Sequence, residues 1–418
     1  MMWFNILKVS IGVLSKELRN EVKQSGGRIY QIGGAVRDEF LGKVSKDLDL
    51  IITGIDIDDL QKLLGEYGSI NLVGRNYGVL KFRPEGMEGE PIDISVPRVE
   101  VSTGEGHKDF EVRLGKDITL EQEQLRRDFW MNAIAKDIET GELVDIEGKG
   151  QLDIKNRQIS VINPKAFDDD PLRMLRAVQF AARFDFEIEK ETMKEIKKNA
   201  DKIMTVSHDR FQEEFRKMFE KAGKPTIGID LLIETGMMKH ILEKGQSNPL
   251  MDGLNKDAFP VFLALLAENY GDDAGKVVQN LMKLSNRDVL AVQGVVDYQD
   301  ISPTNDLEVV NFIRKRKEKV HIIANIDSLM ESKGKESLSD RLKTIKTKGK
   351  PTSIKELAVN GEDLMQEGFS GAEIGQALDF LLELAVKNGK NEKGHLIRKV
   401  KSQFNKGDNW KKMLMVRI

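Results

Sequence analysis

Two hydrophobic rhythms divide this chain. Through about residue 160, short apolar runs are bounded by glycines and turn residues, and they predict strands at Arg28 to Ile32, Leu48 to Thr53, Gly78 to Phe82, Ile92 to Val96 and Ile134 to Asp137. Beyond that point apolar positions recur at helical spacing, predicting helices through Arg173 to Phe184, Lys190 to Lys202, Arg210 to Ala222, Phe259 to Tyr270 and Gly371 to Lys387. Breaks fall at Gly223-Lys224-Pro225, at Gln246-Ser247-Asn248-Pro249 and around Lys348 to Ser353, and there is no short-period repeat. The pattern reads as an α+β head with a small sheet, followed by parts that are all helical.

Composition narrows this only a little. With 418 residues, 32% charged and 6% aromatic, the chain is long enough for two to four domains and reads as soluble and helix-rich. The opening Met1 to Lys8 is apolar but gives way to Ser15-Lys16-Glu17-Leu18-Arg19 with no small-residue cleavage site, so a membrane protein is not expected and the cytoplasm is the default location. Cysteine is absent, which excludes disulfides and thiolate metal sites. A net charge of −3 requires any nucleic acid to be held by local patches. One is the stretch Lys387 to Ile418, with ten Lys or Arg against two acids; another is Arg314 to Lys319, with the Lys-rich Lys343 to Lys350 after it. The first leans towards RNA and the second towards an ordinary solvated face.

The densest chemistry lies near the start. Gly33 and Gly34 follow the first predicted strand and open a helix, so an anion can approach backbone N–H groups without side chains in the way. Arg37 adds a forked, charged donor. In Asp47-Leu48-Asp49-Leu50-Ile51-Ile52 the strand period of two puts Asp47 and Asp49 on one face, a pair of hard carboxylates suited to Mg²⁺ shared with substrate phosphates. Either feature alone is common; in the order strand, turn, helix, strand they point to phosphoryl or nucleotidyl transfer with two metal ions. Asp93, on a strand-like alternation, is a possible third carboxylate.

A second constellation opens the helix at residue 171. Asp170 is a good N-cap ahead of Pro171, and Leu172, Leu175 and Val178 fall on one packed side. Asp170, Arg173 and Arg176 recur three apart, which allows a local ion pair and equally a base-reading pair. Cytosine and adenine share an amino donor beside a ring-nitrogen acceptor, which a carboxylate and a guanidinium can meet, whereas guanine and uracil present a carbonyl instead.

Together these segments resemble the class II tRNA nucleotidyltransferases, or CCA-adding enzymes, and the related bacterial poly(A) polymerases. Leu125-Arg126-Arg127-Asp128-Phe129-Trp130-Met131-Asn132-Ala133 is similar to that family's Arg-Arg-Asp-Phe-Thr-Ile-Asn-Ala motif, and Asp169-Asp170-Pro171-Leu172-Arg173 to its Glu-Asp-x-x-Arg motif. Arg210-Phe211-Gln212-Glu213-Glu214-Phe215 stands where the family has an Arg-containing helix, and Val359 to Leu364 with Gly371 to Leu378 resembles its tail. Gly104 to Asp109, with His107, resembles its mobile loop. Departures are Asp169 for Glu, Trp130-Met131 for Thr-Ile, Gln179 for an Arg and Ser370 for Pro.

The resemblance implies a catalytic nucleotidyltransferase head (residues 1–160) with a small mixed sheet, a helical neck (161–225), a body (226–350) and a tRNA-binding tail (351–418). It implies Mg²⁺ on Asp47 and Asp49, and nucleotide binding by Gly33, Gly34, Arg37, Arg127, Asp128, Asn132, Asp170, Arg173 and Arg176. Within that set Arg127 would neutralise phosphate, Asp128 would accept from a ribose hydroxyl and Asn132 would orient them. The activity implied is addition of CMP and AMP to the 3′ end of tRNA from CTP and ATP. Poly(A) synthesis and partial CC- or A-addition are the alternatives within the family. A non-catalytic RNA-binding protein leaves Asp47 and Asp49 without a reason. No G-x-x-x-x-G-K-[ST] sequence is present, and His208-Asp209 lacks neighbouring histidines for a phosphohydrolase metal cluster.

Overall fold

The computed structural model describes residues 13–43, 48–73, 78–102 and 110–404. They form two compact units, Met1–Ile241 and Leu242–Ile418. The first is built on a seven-stranded mixed sheet with strand order β3-β4-β5-β2-β1-β8-β9. Its strands are β1 (Arg28–Ile32), β2 (Asp49–Thr53), β3 (Gly68–Val73), β4 (Val79–Pro84), β5 (Ile92–Ser95), β8 (Ala135–Asp137) and β9 (Leu143–Val144); β6 (Arg98–Ser102) and β7 (Phe110–Leu114) pair separately. Neighbours in the sheet run antiparallel except β2 and β5, which are parallel with Asp49 opposite Asp93.

Alternation along the strands sorts the two faces. Ile29, Leu50, Ile52, Leu80, Phe82, Ile92 and Ile94 point to one side, where they form a buried core with Leu18 and Val22 of helix Lys16–Gln24 and Leu60 and Leu64 of helix Ile57–Gly65. Tyr30, Ile32, Ile51 and Ala135 form a smaller buried cluster on the other side. Asp49 and Ile51 are two apart, so Asp49 belongs to this second face, as does its register partner Asp93. The mixed sheet thus keeps its greasy core behind it and presents its carboxylates in front.

Helices follow the sheet. Three matter for the site: α1 (Gly34–Phe40), α2 (Leu172–Phe184) and α3 (His208–Lys221). In α2, Leu172, Leu175 and Val178 are buried as their spacing predicts, and so are Met174, Ala177 and Ala181, because α3 and helix Pro225–Glu234 pack on two sides of it. Each fully buried leucine or valine contributes about 1.5–3 kcal/mol, which fixes the helix whose other side carries charge.

The second unit is helical throughout its described part. All eight residues of helix Phe259–Leu266 are buried, the mark of a central helix, with Asn286–Ile301 and Lys319–Ser332 packed around it. A separate cluster of Val359, Leu364, Ala377, Leu381, Ala385, Leu396 and Val400 forms a small core towards the end of the chain. Two predicted helices stop early. Lys190 to Lys202 is α-helical to Asn199 and then a 3₁₀ turn; Phe259 to Tyr270 ends at Leu266 and passes into a 3₁₀ stretch in which Gly271 takes φ +50°, ψ −123°. No helix among the described residues is long and apolar enough to cross a membrane.

Candidate active site

The turn from β1 into α1 needs a glycine at its first position. Gly33 has φ +81°, and a Cβ there would stand 2.9 Å from Arg127 Nη1. Both the backbone and the approaching guanidinium therefore exclude a side chain. As N-cap, Gly33 has no side chain to offer, so the cap residue itself claims none of the first N–H groups of α1. Asp49 opens β2 a short distance across the sheet, beside Asp93. Lys81 Nζ lies 3.2 Å from Asp93 Oδ1, relieving the repulsion of two adjacent carboxylates. Asp47 and the Gly104 to Asp109 stretch lie outside the described residues.

Behind the turn, charged groups alternate in sign through a buried chain of contacts. Asp38 Oδ1 accepts from Arg37 Nε (2.9 Å) and Nη2 (2.7 Å), and Arg37 Nη1 donates to Asn132 Oδ1 (2.6 Å). Asn132 Nδ2 then donates to Asp128 Oδ1 (3.1 Å), which also accepts from the Phe129 amide (2.8 Å). Asp128 Oδ2 meets Arg176 Nε at 2.9 Å and Nη2 at 2.7 Å, and Arg176 Nη1 reaches Glu214 Oε1 at 3.3 Å. Lys217 Nζ is 3.0 Å from the same Glu214 oxygen. Arg37 also lies over Phe184 (4.5 Å) and Phe180 (5.3 Å), and Arg176 over Phe180 (5.1 Å).

Burial sets the protonation tendencies of this chain. It would raise the Asp128 carboxyl, but the Arg176 guanidinium and the hydrogen bonds from Asn132, Arg176 and Phe129 outweigh it and hold the group below the usual carboxylate range. Arg176 is pulled down by burial and pushed above its ordinary value by Asp128 and Glu214. Arg37 and Arg127 both fall below the ordinary arginine value because burial outweighs their carboxylate neighbours. Arg127 is aimed by weak contacts, Nη1 to the Asn132 carbonyl and Nη2 to Glu123 Oε1, each at 3.4 Å. Its Nε is buried without a hydrogen bond among the described residues.

At the far end of α2, Asp170 performs the capping predicted of it, accepting from the Leu172 amide at 3.2 Å, with Pro171 already in helical conformation. The possible ion pair to Arg173 does not form. Asp170 Oδ2 instead takes Arg210 Nη2 from α3 at 2.7 Å, and Arg173 Nη2 donates to the Arg126 carbonyl at 2.9 Å.

Two adjoining cavities result. One, of about 480 Å³, is lined by Arg98, Arg126, Asp170, Leu172, Arg173, Arg210 and Glu213; the other, of about 370 Å³, by Gly33, Gly34, Ala35, Arg37, Asp38, Asp49, Asn132, Gln179, Phe180, Arg183 and Lys221. Arg127, Asp128, Arg176, Glu214 and Lys217 line both. Six guanidinium or ammonium groups face four carboxylates in the second cavity, which suits an anionic ligand. Every sequence-predicted nucleotide-binding residue thus lines one cavity or the other. Sequence reasoning placed the Arg210 to Phe215 segment but assigned no role to Arg210, Glu214 or Lys217. Their signal is a charged row at i, i+4, i+7 running alongside the buried row of Phe211, Phe215 and Met218, with Glu214 itself buried.

Of the basic patches, Arg314 pairs with Asp379, and Arg316 with Asp297 at 2.6 Å, so the two arginines of that patch are met by the protein itself while Lys315, Lys317 and Lys319 are exposed. In the C-terminal stretch Lys393 pairs with Asp363 and Lys401 with Glu367, while Lys387, Lys390, Arg398 and Lys399 are exposed; residues 405–418 lie outside the described residues.

Comparison with known proteins gives the same picture. Residues 29–160 match the family described as the Poly A polymerase head domain, and residues 185–247 the family described as a probable RNA and SrmB-binding site of polymerase A. The multifunctional CCA protein of Neisseria meningitidis is 36% identical over 216 residues, covering 51% of this chain and 48% of the relative. That of Xanthomonas campestris is 34% identical over 220 residues, covering 51% and 50%. The chain spans about half the length of these curated relatives. Among solved structures, the Bacillus stearothermophilus CCA-adding enzyme in complex with CTP aligns with a TM-score of 0.65 at 23% identity, covering 92% of this chain and 96% of that one. The Thermotoga maritima CCA-adding enzyme complexed with tRNA aligns at 0.62 and 21%, covering 94% and 97%. The fold is that of these proteins over nearly the whole chain.

Proposed function

We propose that this member of the class II tRNA nucleotidyltransferase and bacterial poly(A) polymerase family, which carries the family's head domain at residues 29–160, adds CMP and AMP to the 3′ end of tRNA. The substrates would be CTP and ATP and the by-product pyrophosphate. The observation that carries this reading is the continuity of the two cavities along one side of α2. Asp170 and Arg173 stand at one end of it, and Gly33, Gly34 and Asp49 stand in the adjoining space. A nucleoside triphosphate has that same layout, a base to be read and an anionic tail to be held.

Each residue has a part derived from where it sits. Gly33 and Gly34 let phosphate oxygens approach the uncapped N–H groups of α1. Arg127, only weakly tied to protein acceptors, is free to turn its donors to phosphate, with Arg176 behind it. Arg37 is spent on Asp38 and Asn132, so its part is to hold Asn132, and through it Asp128, in place. Asp128 receives the ribose. Asp170 accepts from the amino group of cytosine or adenine and Arg173 donates to the ring nitrogen, with Arg210 holding the carboxylate in its orientation. A base offering a carbonyl there would leave Asp170 facing another acceptor, a strongly unfavourable contact.

The oxygen donor set fits Mg²⁺. Asp49 and Asp93 share one face of the sheet, with Lys81 the cation beside Asp93, and Asp47 precedes Asp49 by two residues. Held there, Mg²⁺ would lower the pKa of the tRNA 3′-hydroxyl and neutralise the leaving pyrophosphate. In this reading residues 1–160 are the catalytic head, 161–225 the neck, 226–350 the body and 351–418 a tail whose exposed Lys387, Lys390, Arg398 and Lys399 meet tRNA phosphates in the cytoplasm.

The test supplies purified protein with tRNAs ending before, within and after CC, together with single nucleoside triphosphates and Mg²⁺. Addition of C, C and A followed by a stop is the expected result. Unlimited addition of A would establish the poly(A) reading instead, and addition confined to C or to A a partial activity.

A further inference from the structure

One amide between the two ends of the site carries a buried donor with no acceptor among the described residues. Gln179 is 2% exposed, lies one turn beyond Arg176 on α2 and lines the cavity that holds Gly33, Gly34 and Asp49. Its Nε2 is buried and makes no hydrogen bond among the described residues. A buried amide donor without an acceptor costs the fold as much as a lost hydrogen bond, and the large majority of buried polar side-chain atoms are satisfied. The neighbouring donors differ. Arg37 and Arg176 are committed to Asp38, Asn132, Asp128 and Glu214, whereas the Gln179 amide is neutral and its Nε2 is uncommitted among the described residues. An uncommitted donor in a cavity with an excess of cations is built to complete the binding of an oxygen-rich anion.

We propose that Gln179 binds the triphosphate chain of the incoming nucleotide, donating Nε2–H to a phosphate oxygen and adding an aimed contact that carries no charge. This deepens the nucleotidyl-transfer reading and rests on it. The choice of the tail rather than the base follows from position: Asp170 and Arg173 line the other cavity, while Gln179 shares its own with the glycine turn. Because the tail is common to CTP and ATP, Gln179 serves both equally and takes no part in choosing between them.

The test is equilibrium binding of CTP, ATP and inorganic tripolyphosphate to the full chain at fixed Mg²⁺ without RNA, beside thermal melting, for wild type, Gln179→Met and Gln179→Glu. Methionine fills the space and removes the orphaned donor, so its melting midpoint should equal or exceed that of wild type. Its Kd for CTP, ATP and tripolyphosphate should each rise about ten- to a hundredfold, by the same factor, as for a lost hydrogen bond to a charged group. Glutamate keeps the shape and replaces the donor with a negative charge, so it should bind triphosphates most weakly of the three. Kd values within twofold of wild type for either variant would overturn the proposal, as would a loss for one nucleotide only. Failure of wild type itself to bind CTP or ATP would overturn the nucleotidyl-transfer reading, an outcome distinct from variants that bind as wild type does.

Discussion

Replacing Arg176 by methionine puts the charge chain of the site under its sharpest test. The guanidinium lies between Asp128 and Glu214, both buried, at 2.7–2.9 Å and 3.3 Å. Methionine would occupy the aliphatic path over Phe180 but leave the two carboxylates facing each other, with Lys217 still 3.0 Å from Glu214. Removing one partner of a buried pair costs about 3–5 kcal/mol. Arg176 is itself about a third exposed, so water can take up part of the loss, and about 2–4 kcal/mol is the expected deficit at pH 7. The sign with pH follows from Asp128. Its folded carboxyl is held below the ordinary range, so it contributes stability above about pH 4 that is lost as pH falls through its depressed value. Without Arg176, burial dominates and raises that carboxyl, so the variant is relieved by protonation where wild type is not. Urea unfolding of both proteins at pH 8, 7, 6 and 5 should therefore show a deficit that narrows steadily on acidification, read from midpoints at unchanged slope. A deficit that is constant across the series, or below about 0.5 kcal/mol at pH 7 where a surface pair would fall, would refute the account of Asp128 as a carboxylate kept charged by Arg176.

Three further outcomes are expected. Gly33→Ala forces a Cβ against Arg127 Nη1 at positive φ, costing about 1–3 kcal/mol and pushing Arg127 from the cavity, so melting and CTP affinity should fall together; retained affinity would show that Arg127 has no part in binding. Arg210→Ala breaks a half-exposed pair and should change stability by less than about 1 kcal/mol, yet raise misincorporation of UMP and GMP in single-nucleotide extension of tRNA, because Asp170 loses the group that aims it. Asp153, which accepts from the Ser160 amide and hydroxyl, is pushed up by burial to about 6. A raised carboxyl stabilises fully below its unfolded value of 3.8 and loses that contribution as pH rises through about 6. Asp153→Asn, neutral throughout, should thus gain about 2 kcal/mol on wild type between pH 4 and pH 7, and parallel stability curves for the two would contradict the assignment.

What the sequence could show followed its local physics. β1 is found where the apolar run predicts it, Arg28 to Ile32, and α2 begins at the Asp170-Pro171 pair because capping and proline geometry act within a few residues. The ends of Lys190 to Lys202 and Phe259 to Tyr270 were hidden, since a tightened last turn leaves the helical period intact for several residues. Partner choice was hidden for another reason. Arg37 meets Asn132 across 95 residues, Arg176 meets Asp128 across 48, and Asp170 meets Arg210 across 40. Motif order suggested that these groups share a site, but only the fold reveals that Arg37 is consumed by its neighbours and that Asp170 answers to α3 rather than to Arg173.

Those long spans have a consequence for the order in which the protein can become competent during its synthesis. A chain growing from its N-terminus completes the sheet and the Arg127-Asp128 segment well before residue 176 exists, and residue 176 before residues 210 and 214. Until α3 has been made and has docked, Asp170 has no cation to hold it and Arg176 lacks one of its two carboxylates. A nascent chain therefore exposes its glycine turn and sheet early while the pocket beside them stays unfinished, and its completion waits for a helix encoded about 170 residues after the turn.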